Sequence, residues 1–120
     1  MSAMVDGVQW TATVAFATTT GGIVAVGGST AAGDGIGFAF QGATTGTYTL
    51  GAATVHTANY TDSGAANVWA AGGPVGSGSI VVTTLTASRV AGTFSFQVVS
   101  STGGTPATRS ITQGSFDVAF

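Results

Sequence analysis

Val90-Ala91-Gly92-Thr93-Phe94-Ser95-Phe96-Gln97-Val98-Val99-Ser100 is the stretch on which the reading of this chain turns. Phe94, Phe96 and Val98 alternate with Thr93, Ser95 and Gln97, and side chains two apart on an extended backbone share a face. The stretch is therefore expected to be a half-buried strand with its phenylalanines inward. Shorter versions recur as Gly35-Ile36-Gly37-Phe38-Ala39-Phe40 and Gly114-Ser115-Phe116-Asp117-Val118-Ala119-Phe120, and outside the three only Phe16 remains among the phenylalanines. These strands are expected to build a common core.

Working outward, Asp6-Gly7 between Met4-Val5 and Val8-Gln9-Trp10 is a two-residue hairpin signal, because both turn positions want positive φ. Thr11 to Thr18 predicts a strand with Val14 and Phe16 on one face, turned by Thr19-Thr20-Gly21-Gly22 into a second strand, Ile23 to Val26. Gly27 to Gly33 predicts a loop closed by Asp34-Gly35. Ile36 to Phe40 carries large residues on one face and only Gly37 and Ala39 on the other, a bare face against which something can approach the backbone. Gln41 to Thr45 predicts a turn and Gly46 to Leu50 a strand with Tyr48 and Leu50 inward. Thr54 to Tyr60 is less regular, and Thr61-Asp62-Ser63-Gly64 predicts a turn before Asn67-Val68-Trp69-Ala70. Gly72 to Gly78 predicts a flexible loop separating two halves of the sheet order.

Further on, Ser79 to Thr86 is strongly β-forming, with Ile80 and Val82 in phase and Leu85 out of phase, which predicts a bulge near Thr83 or Thr84. Ser101 to Pro106 predicts a turn, Thr108 to Ile111 a short strand, Thr112-Gln113-Gly114 a tight turn and Ser115 to Phe120 the last strand. No segment places apolar residues at helical spacing between capping signals. The expectation is one all-β domain over residues 1–120. It takes the form of an antiparallel β-sandwich or flattened β-barrel of about nine to eleven short strands.

Composition narrows the function classes. Charged residues are 5% of the chain against about 25% in an average soluble domain. They are Asp6, Asp34, Asp62, Asp117, Arg89 and Arg109, for a net charge of -2. Nucleic-acid binding is excluded as an expectation, because neutralising phosphates takes several cations. No apolar run reaches the length of a membrane-spanning helix, about 18 residues, and most spans between turn signals are shorter than a transmembrane β-strand needs. A surface made of Thr, Ser, Gly, Asn and Gln suits an extracytoplasmic protein, or one largely covered by partners.

No chemistry stands out. His56 is the single histidine, and it has neither a nucleophile elbow nor a paired nucleophile in sequence. Zinc lacks a ligand set, and with no cysteine the chain gives no redox signal. The loops at Asp34 and Asp62 with Ser63 or Asn67 are candidate calcium sites, but each holds one carboxylate, and Asp in such loops is foremost a turn former. No cofactor is implied. Asn59-Tyr60-Thr61 matches a glycosylation acceptor. Trp10, Tyr48, Tyr60 and Trp69 are the candidate ligand-facing aromatics for a glycan or small apolar ligand; their alternating positions also suit core or rim residues. Finally, edge strands are commonly blunted with Lys or Pro, and this chain has no lysine and only Pro74 and Pro106.

Met1-Ser2-Ala3-Met4-Val5-Asp6-Gly7-Val8-Gln9-Trp10, Gly46-Thr47-Tyr48-Thr49-Leu50-Gly51, Arg89-Val90-Ala91-Gly92-Thr93-Phe94-Ser95-Phe96 and Thr112-Gln113-Gly114-Ser115-Phe116-Asp117-Val118 together resemble the DUF6252 group of small bacterial proteins, often predicted lipoproteins. The resemblance runs in order through nearly the whole chain. It implies an exported all-β domain, with Met1 inside a longer precursor, and carries no established activity and no functional residues. The expected function is that of a non-enzymatic extracytoplasmic structural or self-assembling protein, forming a homo-oligomer or polymer through strand edges or flat faces. The second reading is a surface module that binds a glycan or small apolar ligand.

Overall fold

The computed structural model describes residues 1–51, 55–62, 67–103 and 106–120, and every regular element in them is a strand. In chain order these are β1 (Ser2–Val5), β2 (Val8–Thr11), β3 (Val14–Thr20), β4 (Ile23–Ser29), β5 (Gly35–Gln41), β6 (Gly46–Leu50), β7 (Thr57–Thr61), β8 (Val68–Ala71), β9 (Ser77–Leu85), β10 (Arg89–Ser100) and β11 (Thr108–Ala119). Thr54, Ser63, Gly64 and positions 104 and 105 of the turn expected at 101–106 lie outside the described residues.

All eleven strands join one antiparallel sheet with the path β2-β1-β11-β10-β8-β7-β5-β4-β3, from which β9 and β6 branch off. The branch lies on β10, the strand of the phenylalanine stretch. Along one edge it pairs β11; along the other it pairs β9 over Val90 to Gln97 and β8 at Val99 and Ser100. The sheet therefore curls at β10, so that β3-β4-β5-β7-β8 folds over β6-β9-β10-β11-β1-β2. The two halves face each other in a flattened half-barrel, with extents of 38 × 33 × 23 Å.

The facing surfaces are apolar because each strand alternates. Phe94, Phe96 and Val98 are buried and Thr93, Ser95 and Gln97 exposed, as the period of two requires. Phe38 of the upper half is the central contact. Its ring centroid lies 5.1 Å from that of Phe94, 5.7 Å from Phe96 and 5.0 Å from Phe116. Tilted and edge-on pairs at these separations add about 0.5–1.5 kcal/mol each beyond the area they bury.

Two tight hairpins close as their glycines dictate: Asp6 and Gly7 have φ of 50° and 80°, and Gly21 and Gly22 of 61° and 84°. The bulge expected in the β9 region is at Thr83, since Ala91 pairs Thr84 while Gly92 pairs Val82. The Thr83 hydroxyl donates to the Ala91 carbonyl at 3.2 Å.

Four expectations are revised. The strand expected from Thr11 to Thr18 is broken at Ala12–Thr13, where Ala12 N–H donates to Met1 O and Thr13 N–H to Ser29 O. β2 and β3 consequently belong to opposite halves. Gly27 to Ser29 is strand, paired on both sides, and the loop shrinks to a turn in which Gly33 N–H donates to Thr30 O. Thr112 to Gly114 is a bulge within one continuous β11, with one extra residue against both β10 and β1. The glycine loop after β8 is held by reciprocal bonds between Gly72 and Val75, and Gly78 is already part of β9.

Candidate functional site

Three places bring functional side chains together. The first is one end of the half-barrel. Val98 pairs Arg109, and Val98 is fully buried, so Arg109 starts on the inward face, at the end of its strand. Its guanidinium lies 4.3 Å from the Trp69 ring centroid and 5.4 Å from that of Tyr60, while Nη1 donates to Asp6 Oδ2 at 2.9 Å. The other Asp6 oxygen accepts from Ser110 N–H. Trp69 Nε1 donates to Pro106 O at 2.7 Å and Trp10 Nε1 to Asp34 O at 3.2 Å. Two of the four named aromatics, Tyr60 and Trp69, thus meet here, with ring centroids 5.7 Å apart and the Arg109 cation against both. Trp10, Tyr60 and Trp69 are all buried, and the two indole N–H groups tie neighbouring segments to the barrel. Burial, reinforced by the negative charge of Asp34, raises the Tyr60 phenol above its ordinary value.

Asp62 stands nearby, its two oxygens accepting from Asn67 N–H and Asn67 Nδ2, each at 3.2 Å. Both carboxylate oxygens of Asp62 are thereby engaged by Asn67. Among the described residues no three His, Cys, Asp or Glu side chains gather as a metal-binding group. No helix among them is long and apolar enough to cross a membrane.

The opposite end holds Tyr48 and His56. The Tyr48 ring lies tilted against Phe40 with centroids 4.5 Å apart, meets the His56 ring edge-on at 5.3 Å, and its hydroxyl donates to Thr44 O at 2.5 Å. His56 Nδ1 accepts from Gln41 N–H at 3.2 Å. That bond leaves Nε2 to carry the proton in the neutral ring. Tyr48 is half-buried, and its ring lies directly over Gly42, where a Cβ would overlap it.

The third place is the outer face of the upper half, and the spacing of small residues anticipated it. Phe16, Gly27, Gly37, Asn59 and Ala70 are directly opposed across β3, β4, β5, β7 and β8, and Ala25 opposes Ala39 in the next row. These residues line an open trough of about 650 Å³. The Phe16 ring packs over Gly27, where a Cβ would come within 2.7 Å of it. Phe16 remains 58% exposed and Val14, beside it on β3, 62%. Phe16 was not among the candidate aromatics. Its signal was that it stood alone, outside the three phenylalanine strands.

The family model described as "Domain of unknown function (DUF6252)" matches residues 1–118. Comparison with curated proteins and with solved structures gives no match. With all but the last two residues inside that match, and the strands it covers forming one continuous sheet, the chain belongs to the DUF6252 family.

Proposed function

We propose that this chain is a non-enzymatic, extracytoplasmic structural domain that associates with copies of itself through its sheet surface. The observation that carries the reading is β3, a seven-residue edge strand of sequence VAFATTT with no charge, no proline and no bulge. Proteins that stay apart usually guard such an edge. Placement outside the cytoplasm accords with a surface that meets water through threonine, serine and glycine, with charge on 5% of residues. Sedimentation velocity over a wide concentration range tests association, and a strictly monomeric chain at the highest concentration would sink it. Fractionation of the native cells tests location.

A second reading attaches to the trough. Its glycine and alanine floor, the exposed Phe16 ring and the polar Thr57, Asn59 and Thr61 around it offer a flat apolar surface with hydrogen-bonding groups, suited to a sugar ring or a small planar ligand. A glycan panel read by thermal shift tests it, with Phe16→Ala as the variant expected to lose any response.

A further inference from the structure

The backbone of β3 carries a specific partner geometry. Gly42 N–H donates to Gly22 O at 3.0 Å, so Gly22 turns toward β5. Successive residues of a strand address opposite neighbours. Val24, Val26 and Gly28 therefore also bond β5, and Ile23, Ala25, Gly27 and Ser29 bond β3. Their partners on β3 are Thr20, Thr18, Phe16 and Val14. The residues between them, Ala15, Ala17 and Thr19, turn N–H and C=O alike to the open side, and β4 is the only strand paired with β3 among the described residues.

We propose that this edge pairs with β3 of a second copy, antiparallel, about a two-fold axis through Ala17. The proposal rests on the self-associating reading above and deepens it. This register uses every free group of those three residues: Ala17 faces Ala17, Ala15 faces Thr19 and Thr19 faces Ala15, and each such pair exchanges two hydrogen bonds. Shifting the axis to Phe16 would set Thr19 opposite Thr13, whose N–H already donates to Ser29 O, and shifting it to Thr18 would set Ala15 opposite Gly21 of the turn, so either move leaves one of the three residues without a partner. The side chains agree with the backbone. On the inner face the paired residues are small, Ala15, Ala17 and Thr19. On the outer face Phe16 meets Thr18 of the second copy and Val14 meets Thr20, aromatic and β-branched pairs of the kind that favour strand pairing. No charge on either strand opposes the approach.

The occupant is a second copy because the edge is complementary to itself, and the two outer troughs then become one continuous face. The two-fold uses both β3 edges, so this contact closes at a dimer and builds no filament. A contact between two short strands falls at the small end of specific interfaces, below about 1,200 Å², and the dimer is expected to depend on concentration.

Two measurements test the pairing in the full chain. Thr19→Pro leaves the β3–β4 ladder intact, since the Thr19 N–H takes no part in it, and closes the edge. It is expected to shift sedimentation to monomer at a concentration where the native chain is dimeric, with an unchanged strand signal in circular dichroism. For the second, the chain's lack of cysteine gives a clean background. Mixing Val14→Cys chains with Thr20→Cys chains of a different tagged size is expected to give chiefly mixed disulfides, because only that combination is opposed. Native dimers that survive Thr19→Pro, or crosslinks in the statistical 1:2:1 ratio expected of random encounter, overturn the pairing while leaving self-association standing. A native chain that is monomeric throughout overturns both.

Discussion

A Cβ on Gly92 would overlap the Val81 carbonyl, and one on Gly114 would lie 2.5 Å from two ring carbons of Phe94 and 2.6 Å from its carbonyl. Neither backbone can retreat, because each strand is paired on both sides. Gly92→Ala and Gly114→Ala are each expected to cost roughly 2–4 kcal/mol in a denaturant titration. Gln113 offers the opposite test. It is a non-glycine residue with φ of 51°, so Gln113→Gly is expected to raise stability by about 0.5–1 kcal/mol and Gln113→Val to lower it. Arg109 is 22% exposed, lies over two aromatic rings and reaches Asp6. Arg109→Lys keeps the charge but loses the planar stacking, and is expected to cost about 1–2 kcal/mol and to change tryptophan fluorescence through Trp69. For Tyr60 the sign follows from its raised phenol. Above the ordinary tyrosine value, near 10, the unfolded chain loses that proton while the folded chain keeps it, so stability falls as pH rises through that range. Absorbance titration of the Tyr60→Phe variant against the native chain checks this, and the variant is expected to lose the late-titrating phenolate.

Among the elements, β9 shows what a sequence can disclose about a sheet. Ile80 and Val82 keep one phase and Leu85 breaks it, and the bulge lies between them at Thr83. The phase break was legible because it is a property of one strand. The bulge at Thr112–Gln113 reads as a turn in sequence, since Thr-Gln-Gly carries turn chemistry and nothing local reveals that both neighbours run straight past it. Gly27 to Ser29 reads as loop for the same reason: two adjacent ladders, and Phe16 lying over Gly27, hold glycines that have little strand preference of their own. Periodicity likewise assigns Trp10, Tyr60 and Trp69 to a face but does not disclose that this face is covered, as the burial of all three shows. The element-scale prediction concerns Thr83. Deleting Thr83 removes the one extra residue and leaves Val82 opposite Gly92 and Leu85 opposite Val90, so its effect on the melting midpoint is expected to be mild, whereas inserting one alanine between Thr84 and Leu85 would move Leu85 off Val90 and is expected to lower the midpoint sharply.

At the scale of the molecule, electrostatics has little to hold. The ion pairs among the described residues are Arg89–Asp117 and Arg109–Asp6. Arg89 hydrogen-bonds the Asp117 carboxylate and lowers its proton affinity. Its contribution is therefore present at neutral pH and fades as pH falls below the usual carboxylate range, and exposure to water keeps it small. Thermal midpoints are expected to differ little between low and high sodium chloride, and sodium sulfate is expected to raise them by strengthening apolar burial. The last feature is the place of β11, which lies between β10 and β1 and pairs Ser115 with Ser2. The eleventh strand in chain order is thus interior to the sheet, and the first has the eleventh as a neighbour. A ribosome delivering this domain holds the β1–β2 hairpin with only half its ladder until residues 108–119 emerge. The nascent domain therefore stays open until β11 is out, and a chain stopped before Thr108 leaves a gap in the middle of the sheet where β11 belongs.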